Sequence, residues 1–346
     1  MAGILFTEGK IGVLTAKNRL VRSATNDHLG NLDGTLSEEQ FSLYEELAKS
    51  GVGTIITGHF GVDEYYKADE NQPLADDDKF LPGMEKMAAL VHQHGALLYG
   101  QISQGGLKGY YHTFDINQAS KEALALTAQK FGEAALRLEK AGFDGVQVHL
   151  AHGYFLANVL DNSVNLREDE YGGNDENRFR IVKEILNEIH RKCTSGFSVI
   201  VKLSAYNETL TAYDEHLLYY GHALEEAGAE CIELSGTDFA HQPKTADSYY
   251  LQQALRLKDA RSIPIILVGG LDRRERMENA LAQGIDFVSC ARAFICEPQF
   301  AARLQNGEEK SKCLHCYQCF KLPGSKFKNC VFLPESAQIR RIKTRG

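Results

Sequence analysis

Eight short apolar runs recur along the chain, most of them followed by a segment that can form a helix. They are NRLVRSA, VGTIITG, ALLYGQI, GVQVHL, FSVIVKLS, ECIELSG, IPIILVGG and IDFVSCA. Each is apolar on nearly consecutive positions, as expected of parallel strands buried on both faces. Helical patterns ending in glycine lie between them, among them TAQKFGEAALRLEKAG, AYDEHLLYYGHALEEAG and RRERMENALAQG. The segment SEEQFSLYEELAKSG opens with Ser37 as an N-cap, has Gln40 three positions on, and ends near Gly51. That spacing is a capping box. Eight strands alternating with helices predict a single (β/α)8 TIM barrel. A doubly wound sheet shares the alternation, but the count of eight and the length of 346 residues favour the barrel. In a barrel the strand ends bring Thr25, Gly58, Gln101, His149, Lys202, Gly269, Gly270 and Arg292 to one face. The expected organisation is a barrel over residues 1–310 and a short cysteine-containing C-terminal extension over 311–346.

Composition narrows the function. A formal charge of -8 and a pI near 5.9 argue against a general nucleic-acid binder, which needs a basic patch. A local basic pocket for a phosphate is still allowed. No run of about 20 apolar residues occurs, so no membrane span is expected. The start MAGILFTEGKIGVLTAKNR lacks a basic head, an apolar block and a cleavage site. The expectation is a cytoplasmic protein without a membrane partner. A homo-oligomer is compatible with the sequence, and no coiled-coil pattern argues for one.

The stretch VHLAHGYFLANVL places His149, His152 and Tyr154 directly after the fourth apolar run. Three readings compete: a reactive site, part of a metal centre, or core side chains with locally satisfied polar atoms. HLAH is not the HExxH pattern of zinc peptidases, and no adjacent carboxylate or thiol completes a zinc set. As donors, two imidazoles can bind a carbonyl or carboxylate oxygen. A phenol with an ordinary pKa of about 10 stays protonated at neutral pH and can deliver a proton. Lys202, inside VIVKLS, needs a counter-charge or an exit to solvent. Gly269 and Gly270 permit close backbone approach to an anion, with Arg292 as a second source of positive charge. The same glycines also suit an ordinary strand-to-helix turn.

The longer run HLAHGYFLANVLDNSVNLREDEYGGNDENRFR resembles the H-x-x-H-G-Y … N-x-R-x-D-x-Y-G-G-x-x-x-x-R stretch of the Old Yellow Enzyme family of FMN-dependent oxidoreductases. Asn165, Arg167, Asp169, Tyr171, Gly172, Gly173 and Arg178 occupy the matching positions. LFTEGKIGVLTAKNRLVRSAT resembles the family's opening, and VGGLDRRERMENALAQGIDFVSCARAFICEPQF its phosphate-binding end. The likeness runs from residue 4 to residue 305 and is nearest to the NADH:flavin oxidoreductase and dienoyl-CoA-reductase-like branch. It implies a barrel with FMN at its C-terminal face and NADH or NADPH as reductant. By this resemblance Ala24, Thr25 and Asn26 lie beside the flavin ring, and Gly58 leaves space for its edge. Gln101 bonds the pyrimidine portion, and Lys202 sits near N1 and O2. Gly269, Gly270, Ala291 and Arg292 surround the phosphate. His149 and His152 hold the substrate's oxygen, Tyr154 is the proton donor, and the 165–178 stretch builds the site's architecture. The implied reaction is hydride transfer from flavin N5 to an activated C=C bond of an α,β-unsaturated carbonyl or an enoyl or dienoyl thioester. The implied partner is therefore a small electrophilic substrate. Four positions depart from the family pattern. Asn26 stands where cysteine or threonine is usual, Gln104 and Leu107 replace a histidine and an arginine, and Ala291 replaces a glycine.

The run CLHCYQCFKLPGSKFKNC holds Cys313, Cys316, Cys319 and Cys330, separated by two, two and ten residues. Such clustering favours metal or redox chemistry over a disulfide scaffold. Four thiolates suit a [4Fe–4S] cluster or zinc, and a tail without metal is the third reading. Long dienoyl-CoA-reductase relatives carry [4Fe–4S] here, usually with one more residue before the third cysteine, and continue into further domains. The alternative function is thus an iron–sulfur-assisted flavin enzyme fed by a separate electron-transfer partner. A nonredox barrel, aldolase-like or ligand-binding, is the competing class.

Overall fold

The computed structural model describes residues 3–205, 213–236, 248–320 and 330–332. Eight parallel strands form the centre: β1 (Leu20–Arg22), β2 (Thr54–Ile56), β3 (Leu97–Ser103), β4 (Gly145–Leu150), β5 (Ser198–Ser204), β6 (Cys231–Ser235), β7 (Ile265–Val268) and β8 (Phe287–Cys290). Each falls on one of the eight apolar runs. Each pairs with its neighbours in sequence, and β8 pairs back onto β1 through Val288–Leu20, Ser289–Val21 and Cys290–Arg22. The sheet is therefore closed, and the chain is a (β/α)8 TIM barrel rather than an open doubly wound sheet.

The main helices are α1 (Glu38–Lys49), α2 (Leu81–His92), α3 (Lys121–Lys140), α4 (Asp175–Lys192), α5 (Tyr213–Glu226), α6 (Leu251–Ala260) and α7 (Arg274–Ala282). Two shorter helices, Arg292–Cys296 and Phe300–Gln305, follow β8. The capping box of α1 forms as its spacing predicts. Ser37 Oγ accepts the Gln40 N–H at 3.1 Å, and Gln40 Oε1 accepts the Ser37 N–H at 3.2 Å. Gly51 then turns the chain at φ +84°, a conformation glycine adopts without steric cost.

Alternation along the strands sorts side chains between two cores. Ile55, Leu98, Val201, Ile232, Leu267 and Val288 face outward and join the large core beneath the helices. Their neighbours Ile56, Tyr99, Ile200, Cys231, Ile266 and Phe287 belong to a separate cluster with Val21, Ile11 and Ala16. Ile11 and Ala16 come from an antiparallel hairpin, Gly9–Ile11 and Leu14–Ala16, which closes that end of the barrel. Two residues beyond Val21, Tyr99, Ile200, Cys231 and Phe287 stand Ser23, Gln101, Lys202, Glu233 and Ser289. The barrel thus has an apolar floor and, one layer above it, a polar tier.

The 165–178 stretch is architectural, as expected. Arg167 holds Asp169 with Nε and Nη2 at 2.9 and 2.5 Å, while its Nη1 donates to the carbonyls of Ile116 and Ala119 at 2.8 and 2.6 Å. Asn165 Nδ2 donates to the carbonyls of Val159 and Tyr171 at 2.9 and 2.8 Å. A Cβ at Gly172 would lie 2.2 Å from the Arg167 carbonyl oxygen, so only glycine fits there. Beyond Gly307 the chain returns over the barrel. Lys310 bridges to Arg273, and the Ser311 N–H donates to the Asp272 carbonyl at 2.7 Å. Residues 321–329 and 333–346 of the expected extension lie outside the described residues.

Arg167→Ala removes the donors of two loop carbonyls and the partner of Asp169 in one step. The expected loss is about 2 kcal/mol or more of unfolding free energy, read from urea midpoints. A loss within the measurement error contradicts the structural role.

Candidate active site

A cavity of about 400 Å³ opens at the C-terminal ends of the strands, a size typical of small-molecule sites. Ala24, Thr25 and Asn26 line it from the end of β1, Gln101 from β3, His149 from β4 and Lys202 from β5. His152 and Tyr154 reach it from the turn after β4, Gly269 and Gly270 from the turn after β7, and Ala291 and Arg292 from the turn after β8. Gly58 does not line the cavity. Its N–H donates to Tyr44 Oη at 2.7 Å, and a Cβ there would lie 2.8 Å from the Thr25 carbonyl oxygen. Its lack of a side chain makes room for the segment after β1.

The polar tier beneath the cavity is one hydrogen-bonded network. Lys202 finds its counter-charge on the adjacent strand, where Nζ donates to Glu233 Oε2 at 2.9 Å and to Ser23 Oγ at 2.8 Å. Register pairs Lys202 with Glu233 directly. Both are buried, at 2% and 0% exposure. Ser23 and Ser289 each donate to Glu233 Oε1 at 2.7 Å, and Gln147 Nε2 donates to Oε2 at 2.9 Å. Gln101 Nε2 in turn donates to Gln147 Oε1 at 2.8 Å. Burial alone would raise the Glu233 pKa, but the Lys202 charge and these hydrogen bonds outweigh it and lower it.

His149, His152 and Tyr154 form one cluster. The His149 ring lies 5.1 Å, centroid to centroid, from the rings of both His152 and Tyr154. His152 sits at φ +62° and Gly153 at φ +71°, which turns the chain sharply after β4. His152 Nε2 shares a hydrogen bond with Ser235 Oγ at 2.9 Å. The buried Nδ1 of His149 has no hydrogen-bond partner among the described residues. Burial, then the neighbouring His152, His59, Lys202 and Lys108, hold the His149 pKa well below its ordinary value of 6.5. Burial and Lys202 pull His152 down to about 3. Burial, helped by Asp69, pushes Tyr154 up to about 12. At neutral pH both imidazoles are therefore uncharged and the phenol is protonated.

The cavity also holds residues that motif reading passed over. The His59 ring lies 5.0 Å, centroid to centroid, from that of Tyr154 and is tilted 56° to it, and His59 Nδ1 bonds Ser103 Oγ at 2.5 Å. Asn26 Nδ2 donates to Asp69 Oδ2 at 2.6 Å. Leu107, where the family pattern has arginine, is 44% exposed and does not line the cavity. The next residue, Lys108, does line it. Its ammonium donates to the His152 carbonyl and lies 5.5 Å from the centre of the Tyr154 ring. Burial of its head lowers its pKa.

The other end of the cavity is closed partly by the C-terminal extension. His315 lines it, and Arg292 Nη2 donates to Tyr249 Oη at 3.2 Å. Nearby, Cys330 Sγ lies 3.7 Å from Cys296 Sγ, and the Cys296 thiol also bonds Cys313. That bond holds the Cys313 pKa down to about 6 and pushes Cys296 up. Cys296 was not among the four expected thiols. Among the described residues, no group of three or more His, Cys, Asp or Glu side chains is placed to hold a metal ion. No helix among the described residues is long and apolar enough to cross a membrane.

The sequence profile described as the NADH:flavin oxidoreductase / NADH oxidase family matches residues 4–123 and 110–311. A curated relative, the NADH oxidase of Thermoanaerobacter brockii, is 30% identical over 90% of this chain and 52% of its own length. The chain thus spans about half the length of that relative. Two solved structures share the fold. A 2-naphthoyl-CoA reductase in complex with 2-naphthoyl-CoA superposes with a TM-score of 0.83 at 23% identity, over 91% of this chain and 54% of that one. A morphinone reductase variant in complex with tetrahydroNAD superposes with a TM-score of 0.77 at 20% identity, over 89% and 92%.

Glu233→Ala strands Lys202 as an unpaired buried cation. The expected loss is about 3–5 kcal/mol of unfolding free energy, largely recovered when Lys202→Met and Glu233→Leu are combined. Urea denaturation of the single and double variants reads both values. A single variant as stable as the wild type contradicts the pairing.

Proposed function

The chain belongs to the NADH:flavin oxidoreductase / NADH oxidase family, and on that premise we propose an FMN-dependent enzyme that uses NAD(P)H to reduce an activated C=C bond. One observation carries the reading. His149, His152 and Tyr154 meet on one wall of the cavity with neutral imidazoles and a protonated phenol.

The donor set fits a flavin mononucleotide. Gln101 offers a donor and an acceptor to the pyrimidine edge, and Lys202 supplies a buried positive charge. Ala24, Thr25 and Asn26 flank the ring, and Gly58 serves only by making room for Thr25. Gly269, Gly270, Ala291 and Arg292 take the phosphate. The carbonyl of Gly269 already accepts from the Tyr249 N–H at 3.2 Å, and that of Gly270 from Arg276 Nη1 at 3.1 Å. FMN, when bound, would supply the two-electron hydride chemistry that links NAD(P)H to the β-carbon of the alkene.

The remaining work falls to side chains of this chain. His149 and His152 donate to the carbonyl oxygen conjugated with the double bond. Neutral donors bind a neutral carbonyl and bind it more strongly as enolate charge develops, so the gain falls on the transition state. Tyr154 then gives its phenolic proton to the α-carbon and is reprotonated from solvent. A thioester is one form of the activating carbonyl, as the resemblance to the dienoyl-CoA-reductase-like branch supports. Residues 311–346 are read as an extension of the barrel, and no electron-transfer step is assigned to their thiols.

Stopped-flow absorbance of the FMN-loaded enzyme tests the roles. Tyr154→Phe is expected to slow reoxidation by an α,β-unsaturated ketone by about 100-fold or more, with reduction by NAD(P)H unchanged. Reoxidation at the wild-type rate removes Tyr154 as the proton donor.

A further inference from the structure

Arg292 is held from two sides by aromatic rings. Its guanidinium carbon lies 4.8 Å from the centre of the Tyr317 ring and 5.7 Å from that of Tyr249. Tyr249 belongs to the barrel, and its N–H donates to the Gly269 carbonyl at 3.2 Å. Tyr317 belongs to the extension. The two meet again through His315, whose Nδ1 lies 3.4 Å from Tyr249 Oη and whose Nε2 lies 3.3 Å from Asp272. Asp272 also holds Arg276 at 2.9 Å, and Arg276 donates to the Gly270 carbonyl. The glycine turn, the arginine and the start of the extension are thus one connected unit.

The backbone of the extension is distorted to make these contacts. His315 and Tyr317 stand at φ +51° and +59°, a region that side-chain-bearing residues rarely enter. Such conformations persist only where surrounding contacts demand them. Ser311 Oγ and the Lys312 N–H secure the approach by donating to Glu297 Oε1 at 2.9 and 2.7 Å.

We propose that the first residues of the cysteine-bearing extension are a clamp that pre-orders Arg292 for the FMN phosphate, with Tyr317 and His315 as positioning residues. A guanidinium binds phosphate well when its fork is already oriented, because less side-chain entropy is then lost on binding. The two rings, together with hydrogen bonds to the Tyr249 and Tyr317 hydroxyls, fix the guanidinium in place. The clamp rests on the reading of Arg292 as the phosphate residue. It gives residues 311–317 a role in cofactor retention that needs no metal on the thiols.

Riboflavin lacks the phosphate and is the natural control. The flavin-free full-length protein is titrated with FMN and with riboflavin, and binding is followed by quenching of flavin fluorescence. The wild type is expected to prefer FMN, and Arg292→Ala to abolish the preference. Tyr317→Ala and His315→Ala are each expected to cut it roughly tenfold with riboflavin affinity unchanged. If Arg292→Ala abolishes the preference while both extension variants keep it, the clamp is wrong and the phosphate reading stands. If Arg292→Ala keeps the preference, the phosphate reading fails and the clamp with it.

Discussion

The buried pair of Lys202 and Glu233 is the constraint from which the rest of the site follows. Two opposite charges stand side by side on neighbouring strands inside a closed barrel, where desolvation costs several kcal/mol per ion. Glu233 recovers that cost through four donors, namely Lys202, Ser23, Ser289 and Gln147. With Gln101 bonded to Gln147, six segments of the barrel contribute to one network. The network orders the polar tier above the apolar floor. It also sets the electrostatics of the cavity, since the Lys202 charge contributes to the lowered pKa of both His149 and His152. Imidazoles that stay neutral are what a carbonyl-activating pair requires.

The two ends of the cavity are built differently. One end is made by strands and by the turn after β4, where Tyr154, His59 and Lys108 surround the histidine pair. The other is made by turns and finished by the extension, where Arg292 sits between a barrel tyrosine and an extension tyrosine. The thiols lie behind that second end, with Cys313 and Cys330 both drawn to Cys296. This gathering around a residue of the barrel's last unit fastens the extension to the barrel.

Much of this was legible in the sequence because the rules that encode it are local. Near-continuous apolar runs revealed all eight strands, and the Ser37–Gln40 spacing placed the start of α1. The HLAHGY motif placed His149, His152 and Tyr154 together, because six consecutive positions of a strand end and its turn stay close in space. Glu233 was missed because ECIELSG reads as one more apolar strand. Its signal was parity: it stands two residues after Cys231, as Lys202 stands two after Ile200, on strands that pair Lys202 with Glu233. His59, Lys108 and His315 were missed because each reaches the cavity from a loop, and loop geometry has no period to read. Gly58 was expected at the flavin's edge, but its space is taken by the Thr25 backbone, a long-range contact no spacing encodes.

Anaerobic titration of the flavin-free protein with FMN, followed by NAD(P)H and then an α,β-unsaturated ketone, tests the cavity's assignment most directly. The expected record is one FMN retained per chain, loss of its visible absorbance on adding NAD(P)H, and return of that absorbance on adding the ketone. A chain that retains no FMN, or whose bleached flavin no activated alkene reoxidises, contradicts the assignment.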